Sequence, residues 1–492
     1  MLTIIQPIPA EAQDTNGEII KQLQKRIEEL EQKVKSLETG KEAPQRQEVP
    51  SQHVADLEQK VKVLERNREL DAEAAEAKAK EPPQLKIGGD GFSMVSADKN
   101  FALQLKGVLQ IDSRTYFEDG GIAGNDGFLL RRARPILQGT VFRDFDFLFV
   151  PDFGGTSGPQ IFDAYLNYRY NTGLQLQAGK FKSPIGLEQL MADRDIPFNE
   201  RGLPTALVPN RDLGILLHGE LFENSISYAA GIFNGVGDAR NSSNFDFEDN
   251  KAFEGRLFFQ PFVKTSIAAL QGAGFGVSGS YEKMHGTNVA GLSATTGGTL
   301  PGFATDGQQQ FFAYNPSNGV VVANGEHWRL SPQAYYYYGP FGLLAEYVIS
   351  NQKVSRAGTA PFASARLDNR AWQISGSWLL TGEDASYKNS VVPLRPFKPG
   401  EGGWGAWQLV ARYAELDVDN AAFPLFSNPR TSATDAHSWS VGLNWYLNRN
   451  VAVRTSFSHT DFSGGGGPGA SAPAAVTRQP EKTLFTRIQL AF

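Results

Sequence analysis

From residue 101 the chain alternates. Phe101, Leu103, Leu105, Leu109 and Ile111 share the odd positions with Gly107, while Gln104, Lys106, Gln110 and Asp112 take even ones. A period of two puts the two sets on opposite faces of a strand, one apolar and one mostly polar. The pattern recurs at 128–141, 145–152, 161–168, 174–181, 213–221, 226–233, 252–260, 275–281, 327–337, 341–349, 370–380, 404–416, 437–446, 451–459 and 484–492. It predicts sixteen strands. Even-numbered gaps between them are short, as at Phe142–Asp144, Arg169–Gly173, Phe222–Ser225, Tyr338–Pro340 and Leu447–Asn450. Odd-numbered gaps are longer and rich in Gly, Asn and Asp, as at 182–212, 282–326 and 460–483. Tight turns alternating with long loops mark an all-β transmembrane barrel of antiparallel strands, its turns periplasmic and its loops outside. The gaps at 261–274 and 381–403 break this order, through either a slipped register or enlarged turns.

Aromatic residues fall on the apolar face toward strand ends: Trp372 and Trp378, Trp407 and Tyr413, Trp439 and Trp445. Interfacial girdles explain that placement. A soluble β-propeller would show a blade-length repeat, which the chain lacks. Leu484, Thr486, Ile488, Leu490 and Phe492 form one face of the last strand. Such a strand ending on an aromatic is similar to the assembly signal of outer-membrane barrels, so barrel-assembly machinery is an expected partner beside outer-membrane lipid.

Ahead of the barrel the period is 3.5. Ile20, Leu23, Ile27, Leu30, Val34 and Leu37 form a heptad seam, broken by Gly40, Pro44 and Pro50. A second seam, Val54, Leu57, Val61 and Leu64, resumes out of register, and Pro82-Pro83 closes the helical region. The expected organisation is a residual export signal over 1–13, ending in Ala10-Glu11-Ala12, a periplasmic α-helical coiled coil over 14–81, and a barrel over 82–492. An even strand number leaves both barrel termini in the periplasm. Self-association of the seam predicts a homotrimer, and a helical segment that tethers the envelope is a structural alternative.

Composition narrows the chemistry. No 18-residue apolar run is present, which excludes a helical membrane protein. Mean hydropathy is −0.32, as strands with one polar face allow. With no cysteine, disulfides, thiolate metal sites and cysteine nucleophiles are excluded. His437 lies two residues from Asp435 and His459 two from Asp461, but no serine or acid constellation accompanies them. No cofactor loop, metal cluster or nucleic-acid patch stands out, and no enzyme is expected. The net charge of −6 conceals an imbalance: from residue 82 on there are 22 Arg and only 12 Lys.

Strand phase assigns those arginines. Ala133, Leu137 and Val141 suit lipid, which turns Arg132, Arg134, Gln138 and Thr140 inward. The same phase turns Arg256, Arg412, Arg454 and Arg487 inward. On the lipid face each charge would cost about 2–4 kcal/mol near mid-membrane. Rings of Arg and Lys favour anions in a pore.

Segment 101–235 resembles the phosphate-selective porin O and P family. The resemblance rests on KGVLQID at 106–112, RRAR at 131–134, FDAYL at 162–166 and GKFKSPIGLEQLMADRDIPFNER at 179–201, with echoes in LTGE at 380–383, GAWQLVARY at 405–413 and VGLNWYLN at 441–448. It implies a sixteen-stranded, usually trimeric barrel whose third external loop folds inward, a role that 182–212 matches in position and length. In that arrangement Arg131, Arg132 and Arg134 face a constriction bearing Lys182, Arg194, Arg201 and Arg211, opposed by Glu188, Asp193, Asp195 and Glu200. The resemblance implies passive uptake of small anions, phosphate or polyphosphate among them. General diffusion of small hydrophilic solutes is the alternative, since mixed charge spans the constriction. Two positions depart from the family pattern: Val108 stands where members often carry Arg, and Gln189 where phosphate-selective members carry Lys.

Overall fold

The computed structural model describes residues 82–492 except 118–123, 156–157, 245, 247–248, 287–299, 315–318, 358–362 and 468–476, together with isolated helical residues between 59 and 69. The expected export signal and nearly all of the expected coiled coil lie outside the described residues. The chain divides into two units, Met1–Lys80 and Glu81–Phe492.

The second unit opens with a hairpin, β1 (Gln84–Gly88) and β2 (Gly91–Val95). Then follow β3 (Ala102–Tyr116), β4 (Gly127–Val141), β5 (Phe145–Asp152), β6 (Gln160–Asn171), β7 (Leu174–Lys182), β8 (Arg211–Leu221), β9 (Ile226–Phe233), β10 (Ala252–Phe259) and β11 (Ala273–His285). A small separate ribbon, β12 (Phe303–Ala304) and β13 (Gln310–Phe312), precedes β14 (Val320–Tyr338), β15 (Phe341–Ala357), β16 (Ala363–Leu379), β17 (Ala406–Asp417), β18 (Ala433–Tyr446), β19 (Val451–Gly464) and β20 (Glu481–Ala491). Strands β3 to β11 and β14 to β20 pair antiparallel with their neighbours, and β20 pairs with β3 from Thr483↔Tyr116 to Ala491↔Val108. The sheet closes into a sixteen-stranded barrel.

Each run of alternation is one of these strands. Predicted ends differ most at β14 to β16, which continue toward the long loops; on β15 both faces turn polar there, at Ser350, Asn351, Gln352 and Lys353. The gaps at 261–274 and 381–403 are enlarged turns rather than slipped registers; one holds a helical turn, Ala268–Gln271. The β1–β2 hairpin was not predicted. Leu85 and Ile87 alternate with Lys86 on one arm and Phe92 and Met94 with Ser93 on the other, around Gly88-Gly89-Asp90-Gly91. β2 pairs with β3 from Phe92↔Leu105 to Val95↔Ala102, so the hairpin extends the wall beyond the end of β20. There Gly107 and Phe492 exchange backbone hydrogen bonds of 3.0 Å each way. A Cβ at Gly107 would come within 2.9 Å of the Phe492 ring, so a larger residue there would push that ring aside.

The outer face carries exposed large apolar side chains, among them Leu105, Leu109, Leu137, Leu217, Leu343, Leu409, Leu443 and Ile488. Aromatic pairs flank this band. Trp407 and Trp445 stack at 5.2 Å toward the short-turn end, and Trp372–Tyr413 and Trp439–Phe457 sit 5.5 Å apart toward the long-loop end. Inside, chain rather than solvent fills much of the lumen. The segment 183–210 lies within the barrel, and a buried apolar cluster joins its Ile185, Leu203 and Leu207 to Phe303, Phe311, Phe312, Phe426 and Phe462 from the long-loop end.

Candidate functional site

The in-folded segment runs from the end of β7 to the start of β8. Its apolar side chains Ile185, Leu187, Ile196, Phe198, Leu203 and Leu207 are buried, and most of them join clusters with residues of the wall and the other long loops. Its carboxylates meet arginines from the wall. Glu200 receives Arg131 at 2.6 Å, Arg114 at 3.0 Å and Arg487 at 3.1 Å. Asp193 receives Arg201 at 2.7 Å and a close contact from Arg134, with Arg132 at 3.7 Å and Arg211 at 3.8 Å. Glu188 receives Arg412 at 3.0 Å and also accepts from the Gly202 N–H at 2.8 Å.

These bonds act as straps. Burial opposes ionisation of Asp193, yet Arg132, Arg201, Arg134 and Lys182 hold its carboxyl well below the usual range. Burial likewise opposes ionisation of Glu200, and Arg131, Arg487 and Arg132 overcome it. Charge-assisted bonds in a dry interior are strong when every member is matched, and removing one member is costly.

Most of the arginines expected to line a constriction are therefore committed. Besides the pairs above, Arg132 donates to Gln110 Oε1 at 2.6 Å, Arg134 pairs with Asp152 at 2.7 Å, Arg211 with Asp163 at 3.1 Å, Arg412 with Asp306 at 3.0 Å and Arg487 with Asp112 at 2.6 Å. Arg454 donates to the backbone carbonyls of Arg194 and Ile196. Arg131 corrects the phase argument: strict alternation with Arg132 and Arg134 would turn it to lipid. A bulge opposite Gln110 and Ile111 puts Gln110 against Arg132 and Ile111 against Leu130, leaving Arg131 as the extra residue. Both neighbouring arginines can then face the lumen.

The remaining candidates are differently placed. Between the in-folded segment and strands β3 to β10 lies a cavity of about 810 Å³, lined in part by Lys106, Arg134, Lys182, Arg194, Arg211 and Arg256, with Asp163, Asp193 and Glu220. Lys182 donates to the carbonyls of Gln189 and Met191 at 2.9 and 2.6 Å. Arg256 meets the Gln333 amide oxygen at 3.2 Å and the Phe258 ring at 4.5 Å. Arg194 is 40% exposed, with Asp195 at 3.5 Å. Lys106 makes no ion pair or hydrogen bond among the described residues. Sequence reasoning omitted Lys106 although it lies on the polar face of the first strand. It also omitted Arg114, and Arg329, which pairs with Asp238 at 2.7 Å and Glu282 at 3.1 Å. Gln189 is buried and bonded to Asn210.

The histidine pairs lie on the outer face. His437 sits 3.2 Å from Asp435 and 3.3 Å from Glu415, and His459 stacks on Trp439. Among the described residues no group of three or more His, Cys, Asp or Glu side chains is arranged to hold a metal ion.

The pattern that defines phosphate-selective porin O and P matches residues 103–465. Porin O of Pseudomonas aeruginosa is 24% identical over 386 residues, covering 75% of this chain and 84% of that protein. Among solved structures, the anion-selective porin from Comamonas acidovorans is similar, with a TM-score of 0.47, 13% identity, and coverage of 80% of this chain and 100% of that one. The outer membrane channel DcaP of Acinetobacter baumannii is similar at a TM-score of 0.46 and 10% identity, over 80% of this chain and 98% of its own. A match running from β3 to just past β19, on a closed barrel with an apolar outer face, makes this chain a bacterial outer-membrane porin that belongs to the phosphate-selective porin O and P family.

Proposed function

We propose that the barrel carries small anions passively across the outer membrane, past the constriction formed by 182–212. The observation that supports this reading is the group of cations without a carboxylate partner at the cavity: Lys106, Lys182 and Arg256, with the half-exposed Arg194 beside them. Confinement between low-dielectric walls strengthens their field on a passing anion. The strapped arginines Arg131, Arg132, Arg134, Arg201, Arg211, Arg412, Arg454 and Arg487 contribute chiefly by holding the constriction in shape. Phosphate and polyphosphate are candidate solutes. General diffusion is the second reading, favoured by Asp163, Asp193 and Glu220 in the same cavity.

In this reading the short turns face the periplasm and the long loops the exterior. Residues 1–13 belong to an export signal, 14–81 form a periplasmic coiled coil that assists a homotrimer of the 82–492 barrels, and the last strand, with Phe492, is offered to the assembly machinery. The deciding experiment is the reversal potential of the full chain in a planar bilayer under a potassium chloride gradient, repeated with potassium phosphate. A chloride potential on the anion side is expected, and one at or beyond zero on the cation side contradicts the reading.

A further inference from the structure

We infer that the cavity beside the in-folded segment is a binding site for organic anions that join a carboxylate to an apolar body. The inference rests on the anion reading above and names a solute class for the same passage. A lumen that conducts only hydrated inorganic ions needs polar walls, and this one is not polar throughout. Val108, Ile136, Leu148, Val150, Phe181 and Leu216 all line the cavity. Val108 and Val150 are buried in the wall, whereas Ile136 and Leu148 keep part of their surface open, and none of the four belongs to the interior apolar clusters of the described residues.

Their placement is interleaved with charge. In the β3–β4 ladder Lys106 lies opposite Ile136 and Val108 opposite Arg134, and in the β5–β6 ladder Val150 lies opposite Asp163 and Leu148 opposite Tyr165. On β3 and β4 cation and aliphatic side chain therefore alternate, while Asp163 on β6 is paired with Arg211. A carboxylate can reach Lys106 while an attached ring or alkyl chain displaces water from the adjoining wall, a gain that grows with the apolar surface covered. A volume of about 810 Å³, with apolar wall set between charged groups, suits a small amphipathic molecule. Phosphate or acetate can use only the charged part of this surface.

The test uses the full chain in planar bilayers, with block of chloride current by benzoate, acetate and inorganic phosphate as the readout. Benzoate is expected to block at a concentration about tenfold below that of acetate, because both carry one carboxylate and differ in the apolar body. Leu148→Asn combined with Val150→Thr should bring benzoate to the acetate value and leave the chloride reversal potential unchanged. Equal block by benzoate and acetate in an anion-selective unmodified channel overturns this inference and leaves the anion reading standing. A cation-selective reversal potential overturns the anion reading, and the inference with it. Should the double variant fail to assemble, the comparison in the unmodified protein still decides.

Discussion

Two parts of one lumen treat positive charge in opposite ways. Around the seam where β20 meets β3, Arg114, Arg131 and Arg487 converge on Glu200, and Asp112 takes a second bond from Arg487. In the cavity that spans β3 to β10, Lys106 and Arg256 have no carboxylate bonded to them among the described residues. The first group is neutralised and rigid, and its work is to hold chain against wall. The second keeps its field. A count of lumenal arginines measures how firmly the constriction is strapped. In the proposed function, the cations left over set selectivity.

The largest effect should come from breaking a strap. Glu200→Gln leaves three guanidinium groups without their shared carboxylate, a loss of about 3–5 kcal/mol for a buried pair deprived of one member. Single-channel records should show higher and noisier conductance, with a lower melting temperature. Glu220→Gln, on the cavity side, removes a 3.4 Å pair with the exposed Lys388 and should change stability by at most about 0.5 kcal/mol. Similar stability losses in the two variants would erase the distinction between the regions.

Next in size is the cavity field. Lys106→Gln with Arg256→Gln should lower the anion-to-cation permeability ratio severalfold, at about 1 kcal/mol per charge, and more at low salt than at high salt. A reversal potential unmoved by both changes would show that selectivity is set elsewhere.

Acid should act later than ordinary carboxylate chemistry suggests. The Asp193 carboxyl is held below its usual value in the folded barrel, so its contribution is complete above the unfolded value near 4 and is lost only as pH falls further, through the depressed one. Conductance noise at pH 5 should match that at pH 7 and should rise only below about pH 4. Noise that grows already between pH 6 and 5 contradicts the strap. The smallest effect is expected from Gln189→Lys. That side chain is buried against Asn210 rather than open to the cavity, so phosphate block of chloride current should change less than about twofold, within the range of one partly screened charge.

The barrel was legible because its outer face must be apolar along every strand, which imposes a period of two that no interior packing can blur. The same phase placed Arg132, Arg134, Arg256, Arg412, Arg454 and Arg487 correctly on the lumen. It could not place Arg131, since a bulge adds one residue and reverses the phase locally. Nor could it separate strapped from free cations, because the partners lie on a loop whose path depends on tertiary packing: Arg412 and Glu188 are 224 residues apart. Lys106 lies on the polar face of β3, where nothing in the local sequence distinguishes an unpaired lysine from a paired one. The β12–β13 ribbon is too short for alternation to announce it.

The position of Glu200 carries a consequence for how the molecule is made. It binds Arg114 on β3, Arg131 on β4 and Arg487 on β20, the first two of the closing strands and the last. Arg487 and Asp112, 375 residues apart in sequence, share the same group. Contacts of such separation form late, after the intervening chain has been ordered. If β20 zipped onto β3 with the loop still outside, Arg487 would be buried against Asp112 alone. Sealing the cylinder and drawing the loop inward thus share one carboxylate, so the seam that closes the barrel also carries one of the ties that hold the loop across its passage.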